Sequence, residues 1–169
     1  MLTLESHEIC FREVPKEITL ALNLSNCPHH CEGCHSPWLW TQQGDELTIE
    51  LIEGILSEPK NRVVTCLAFM GGDNDPLEVL EMNKKIKESH PDLKTCWYTG
   101  FKYHELNSRA ISHRINEFDY VKIGPYMKEF GGLDSPTTNQ VMFKKMPTGY
   151  MTNITKEFQT RGESHVQST

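Results

Sequence analysis

The chain has 169 residues, a formal net charge of -6 and 37% hydrophobic residues, enough for a single domain that buries a core without covalent staples. The acidic balance argues against a general nucleic-acid surface, which needs basic residues to displace counterions. No apolar run reaches the roughly 20 residues of a membrane helix. The opening Met1-Leu2-Thr3-Leu4-Glu5 lacks the basic and apolar regions of an export signal, so a cytoplasmic protein is expected.

Strand and helix patterns alternate along the chain. Residues 7–14 read as a short edge strand that turns at Pro15, and residues 18–24 as a strand that delivers the chain to Cys27. Thr48 can cap a helix whose apolar residues Ile49, Ile52, Ile55 and Leu56 recur at helical spacing and stop at Pro59. Residues 63–70 are nearly all apolar, the pattern of a parallel strand covered on both faces. That strand ends in Gly71-Gly72-Asp73. Asp75, Pro76 and Glu78 then supply an N-cap, a first-turn proline and a capping-box glutamate for a helix running to His90-Pro91.

A third strand over 94–99 closes at Gly100, and a less regular helical region follows through Leu106 and Ile115. Residues 120–123 form a fourth strand closed by Gly124-Pro125. Segment 126–138 is rich in turn residues and reads as a functional loop, 140–143 as a fifth strand, and the pattern allows a sixth over 151–155. The tail from Arg161 is polar. No repeat or composition break divides the chain. The expectation is one domain over 1–169, with its core over about 15–158.

The architecture expected is α/β: about five to six mainly parallel strands with crossover helices, too few for a closed eight-unit barrel and therefore an open partial barrel. In such sheets chemistry collects at the carboxyl ends of the strands. The cysteine loop, Gly71-Gly72-Asp73, Tyr98-Thr99-Gly100 and Gly124-Pro125 all fall there.

Cys27, Cys31 and Cys34 stand at C-x3-C-x2-C spacing. Six cysteines without an export signal point to metal binding rather than disulfides. Cys66 and Cys96 sit in apolar segments and read as small buried hydrophobes. Three thiolates suit three irons of a cubane cluster, leaving the fourth open to a non-protein ligand. A Cys3His zinc site using His29, His30 or His35 is the alternative, although no second short ligand pair is present. His29 and His30 otherwise read as exposed loop residues, and His35 as a residue that supports the thiolates. Trp38 and Trp40 can shield the loop, dock a partner or pack in the core.

The spacing of Cys27, Cys31 and Cys34 resembles that of the radical S-adenosylmethionine enzymes, and Gly71-Gly72-Asp73 resembles their Gly-Gly-Glu motif. The loop Asn26-Cys27-Pro28-His29-His30-Cys31-Glu32-Gly33-Cys34-His35-Ser36-Pro37 narrows the resemblance to the activating proteins of anaerobic ribonucleoside-triphosphate reductase. Tyr98-Thr99-Gly100, Asp119 through Tyr126, Asn139-Gln140 and Asn153-Ile154-Thr155 also resemble segments of that family. Lys122 departs from its pattern, which has a less polar or an acidic residue there.

The resemblance implies a 4Fe–4S cluster on Cys27, Cys31 and Cys34, with S-adenosylmethionine on the open iron. It implies cofactor contacts from Gly71, Gly72, Asp73, Tyr98 and Thr99. The implied activity is cleavage to a 5′-deoxyadenosyl radical that takes a glycine Cα hydrogen from the large reductase subunit. Flavodoxin or ferredoxin is the implied electron donor, and neither nucleic acid nor membrane is an expected partner. A pyruvate formate-lyase activase-like enzyme, a deazaguanine-forming enzyme and a zinc-stabilised interaction module are the competing readings.

Overall fold

A computed structural model describes residues 1–159; the polar tail expected from 161 lies outside the described residues. Eight strands form one open sheet: β1 (Thr3–Cys10), β2 (Thr19–Leu24), β3 (Asp45–Glu46), β4 (Cys66–Met70), β5 (Lys94–Tyr98), β6 (Tyr120–Ile123), β7 (Val141–Lys145) and β8 (Met151–Asn153). Their spatial order is β3-β1-β2-β4-β5-β6-β7-β8. The four central strands β2, β4, β5 and β6 pair in parallel, and the flanking strands pair antiparallel.

The connections between the parallel strands carry helices. The first, α1 (Ile49–Ser57), begins where the Thr48 hydroxyl accepts from the Leu51 amide at 3.2 Å and ends before Pro59. The second, α2 (Pro76–Ser89), begins where the Asp75 carboxylate accepts from the Glu78 amide at 3.2 Å. Both caps are those read from the sequence, because a side-chain oxygen before a first turn satisfies amides the helix leaves free. The shorter α3 (Tyr103–Ser108) joins β5 to β6, and α4 (Lys156–Gln159) follows β8.

Alternation along the strands divides the core. Leu20, Leu22, Leu24, Leu67, Phe69, Trp97 and Val121 face one side and pack with Ile52, Ile55, Val79, Leu80 and Ile86 of α1 and α2. Cys66, Ala68, Cys96 and Tyr120 face the other side, packed with Val14, Met142 and Phe158. Cys66 and Cys96 are fully buried free thiols, as expected of small hydrophobes.

Three elements differ from expectation. The strand expected at the edge over 7–14 lies at Thr3–Cys10, because Leu4 through Cys10 register against Leu24 through Thr19, and β3 covers its outer side. Val14 instead enters the core beyond the turn. The strand expected over 63–70 begins only at Cys66, since Pro59–Val63 forms a 3-10 turn anchored by Asn61, whose amide donates to the Ile55 carbonyl at 2.7 Å. The two-residue β3 carries no apolar pattern and exists only as a partner for β1.

At the amino ends of the parallel strands, the Glu17 carboxylate accepts from Lys94, from the Thr65 hydroxyl at 2.7 Å and from the Tyr120 hydroxyl at 2.9 Å. Burial pushes the Glu17 carboxyl up, but the donors from Lys94, Thr65 and Tyr120 outweigh it and hold it below its ordinary value near 4.5. A carboxyl depressed in the folded state stabilises the fold above its unfolded value and loses that contribution as pH falls through the folded value. Resistance of the wild type to urea unfolding therefore falls as pH drops below about 4.5, and Glu17→Gln flattens that part of the profile. An unchanged profile in the variant contradicts the assignment.

Candidate functional site

Parallel register brings Asn23, Met70, Tyr98 and Lys122 side by side in one row across β2, β4, β5 and β6. Just beyond this row each strand leaves the sheet on the same edge. The exits are the cysteine loop, Gly71-Gly72-Asp73, Thr99-Gly100 and Gly124-Pro125.

The cysteine loop is pinned at its start by the Cys27 amide, which donates to the Leu39 carbonyl at 2.9 Å, and bent by Asn26, His30 and Gly33 at φ of 65°, 45° and 73°. The Cys34 amide donates to the Cys31 carbonyl at 3.0 Å, and the Ser36 amide donates to the Cys34 sulfur at 3.4 Å. All three thiols are free and partly buried. Burial pushes the Cys27 thiol up; the His29 amide opposes this, while the Asp73 and neighbouring cysteine charges add to it. A bare thiolate is thus disfavoured there, and a bound cation is what would hold it deprotonated.

Of the loop histidines, His29 is held by a carboxylate, while His35 lines the same cavity as Cys34. His29 is not an exposed loop residue: its Nε2 lies 2.6 Å from Asp73 Oδ2, and its ring meets Phe101 edge-on at 5.0 Å. The His30 ring stacks on Trp40 at 5.0 Å, and His35 lies against Tyr126 at 5.3 Å. Trp38 is exposed, so the core-packing reading does not hold for it. Among the described residues no three His, Cys, Asp or Glu side chains close around a single metal ion. Three soft sulfurs, with His29 held by Asp73 and no second short ligand pair in the chain, suit iron–sulfur chemistry better than a Cys3His zinc tetrahedron.

Asp73 organises the edge. Its side chain is 1% exposed, and Oδ2 accepts from the Gly100 amide at 2.6 Å as well as meeting His29. Oδ1 is buried without a partner. Gly72, at φ +85°, has no room for a side chain, since a Cβ there would lie 2.5 Å from Val79. A Cβ on Gly100 would lie 2.4 Å from the His29 ring. The Gly71 carbonyl accepts from the Trp97 indole at 2.9 Å, which fixes the turn to β5.

Tyr98 lines a cavity of about 820 Å³ together with Cys34, Met70, Lys122, Tyr126 and Gln140. Its hydroxyl donates to the Glu13 carbonyl. Thr99 is buried, and its hydroxyl accepts from the Phe101 amide at 3.0 Å, so it shapes the exit of β5 rather than facing the cavity. Segment 126–138 supplies Tyr126, Gly132, Leu133 and Asp134 to the cavity wall.

The sequence reading left Lys122 without a role, yet it is a buried cation inside this site. Its ammonium donates to the Thr99 carbonyl at 3.1 Å and the Gly124 carbonyl at 2.9 Å. Burial pulls it down to about 8, against the opposing pull of Asp73, Cys31 and Cys27. The available signal was a lone lysine in an otherwise apolar strand.

A family model described as a 4Fe-4S single cluster domain matches residues 18–138, from the start of β2 to the end of the cavity-lining segment. The chain belongs to this 4Fe-4S single cluster domain family. Among curated proteins, it is similar to the anaerobic ribonucleoside-triphosphate reductase-activating protein of Enterobacteria phage T4, with 23% identity over 116 residues covering 64% of this chain and 71% of that protein. No solved structure matches the chain significantly. Both matches agree with the resemblance carried by the cysteine loop. Among the described residues no helix of this family member is long and apolar enough to cross a membrane.

Because Gly100 yields its side-chain space to His29, Gly100→Ala displaces the ring from Asp73 and costs about 1–3 kcal/mol through overpacking. Hydrogen exchange should then accelerate at the amides of residues 27–34 while β7 and β8 stay protected. Unaltered exchange in the loop contradicts the clamp.

Proposed function

We propose that this chain is an activating enzyme for an anaerobic ribonucleoside-triphosphate reductase, with a 4Fe–4S cluster on Cys27, Cys31 and Cys34 and S-adenosylmethionine as cosubstrate. The carrying observation is that the loop bearing three free thiols is tied through His29 to a buried carboxylate, Asp73, that keeps one oxygen unpartnered. When bound, the cluster supplies the electron that cleaves S-adenosylmethionine to methionine and the radical that takes hydrogen from a glycine Cα of the reductase large subunit.

The chain's own residues bind and orient. Asp73 Oδ1 is free to accept from the ammonium of the methionine moiety, a charge-assisted hydrogen bond. Gly71 and Gly72, which lack side chains and lie at positive φ, let the backbone approach that moiety closely. Tyr98 forms a wall of the cavity in which the rest of the cosubstrate lies, and Thr99 contributes through the peptide it shares with Gly100. Excluding water around a primary carbon radical prevents its loss to other hydrogen donors.

The open sheet fits a partial barrel whose mouth admits a loop of another protein. That protein is the reductase large subunit, and flavodoxin or ferredoxin is the electron source. We assign this work to one cytoplasmic domain spanning 1–169. The phage relative supports the reductase over the pyruvate formate-lyase and deazaguanine readings, and the engaged histidines disfavour the zinc module.

Anaerobic reconstitution with iron and sulfide, reduction, and addition of S-adenosylmethionine should yield 5′-deoxyadenosine, and with the reductase a glycyl radical signal. Stoichiometric zinc in the native protein with no product would sink the proposal. Cys31→Ala should abolish the cluster absorbance and cleavage together. Asp73→Asn should keep the cluster but weaken cosubstrate binding by about 10-fold or more, the loss of one charge-assisted hydrogen bond.

A further inference from the structure

Lys122 is the one feature of the site for which neither the fold nor the proposed cosubstrate contacts account. It occupies the last parallel strand in register with Tyr98, Met70 and Asn23, on the small-residue face of the sheet. Its residue exposure is 7%. Both of its hydrogen bonds go to carbonyl oxygens, and no described carboxylate forms an ion pair with it. The Tyr98 ring, 5.6 Å away, supplies only a weak attraction for the ammonium.

A buried ammonium held by neutral groups alone is expensive, by several kcal/mol. Holding the Thr99 and Gly124 carbonyls does not require a full positive charge. The carboxylate that acts most on Lys122 is Asp73, already engaged by His29 and Gly100; Cys31, Cys27 and Cys96 would add to it only as thiolates. Cys34 and Lys122 line the same cavity. The uncompensated charge therefore borders a cavity that one of the three sulfurs also lines.

Building on the proposed cluster, we infer that Lys122 is a positioning residue for charge: its buried ammonium is the counter-charge of the thiolate-ligated cluster and raises the cluster's reduction potential. One-electron reduction adds one negative charge to the cluster; the electron comes from an external reductant, and no bond forms or breaks. A fixed cation nearby stabilises the more negative, reduced form, as net charge and burial are among the factors that set such potentials. Its role is to keep the cluster reducible in a site that otherwise buries negative charge.

The test is a dye-mediated anaerobic redox titration of the reconstituted protein without S-adenosylmethionine, read by absorbance and by the electron paramagnetic resonance of the reduced cluster. Lys122→Met should lower the ratio of reduced to oxidised cluster at a fixed potential by about tenfold, or ~59 mV for a one-electron couple. Lys122→Gln, which retains a donor for the two carbonyls, should shift in the same direction if Lys122→Met fails to fold. Lys122→Arg keeps the charge and should titrate close to wild type.

Unchanged midpoints in the neutral variants overturn the inference, and weakened S-adenosylmethionine binding in those same variants would assign the ammonium to the cosubstrate carboxylate instead. Failure of the wild type to assemble any cluster overturns both this inference and the function on which it rests. A cluster that assembles and titrates without responding to Lys122 overturns the inference alone.

Discussion

One carboxylate ties the working edge of this protein together. Asp73 leaves β4 on a glycine turn, accepts the Gly100 amide at the exit of β5, and holds His29 from the middle of the cysteine loop. Three chain segments distant in sequence meet at a group that is 1% exposed. Such a hub is costly to leave half-satisfied in a low-dielectric setting, so each contact constrains the others. The glycines around it follow from the crowding: Gly72 yields to Val79 and Gly100 to His29.

The Thr99–Gly100 peptide extends this hub to the next strand. Its amide serves Asp73 and its carbonyl serves Lys122, so a carboxylate and an ammonium are anchored at opposite ends of one peptide unit. A rigid, planar peptide fixes their separation better than two flexible side chains would. The parallel register beneath supplies the foundation, because all four central strands end at the same level. The match to the 4Fe-4S single cluster domain family, over residues 18–138, spans the cysteine loop and all of these strand exits. The geometry specifies how this chain would support such a cluster.

Much of the fold was legible from local signals. The Thr48 and Asp75 caps, the apolar run through Phe69 and the glycine closures after β4, β5 and β6 all act within a few residues of themselves. The antiparallel margins were less legible. β1 has a mixed pattern and takes its register from β2, while β3 is two exposed residues with no signal of their own. The start of β4 was misplaced because Val63 and Val64 extend its apolar run, whereas Pro59 and Asn61 commit the chain to a 3-10 turn.

By itself the sequence supplied the candidate donors: three cysteines at one spacing, and a Gly-Gly-Asp turn after a buried strand, each at the carboxyl end of an expected strand. Those are properties of local pattern and covalent spacing. Only the tertiary structure decided what His29 and Lys122 do. A histidine in a polar loop reads as exposed until Asp73, 44 residues away, is brought to 2.6 Å from it. A lysine in a short strand reads as an anomaly until burial removes the water that would have screened its charge, and the carbonyls of Thr99 and Gly124 hold it beside the cavity that Cys34 also lines.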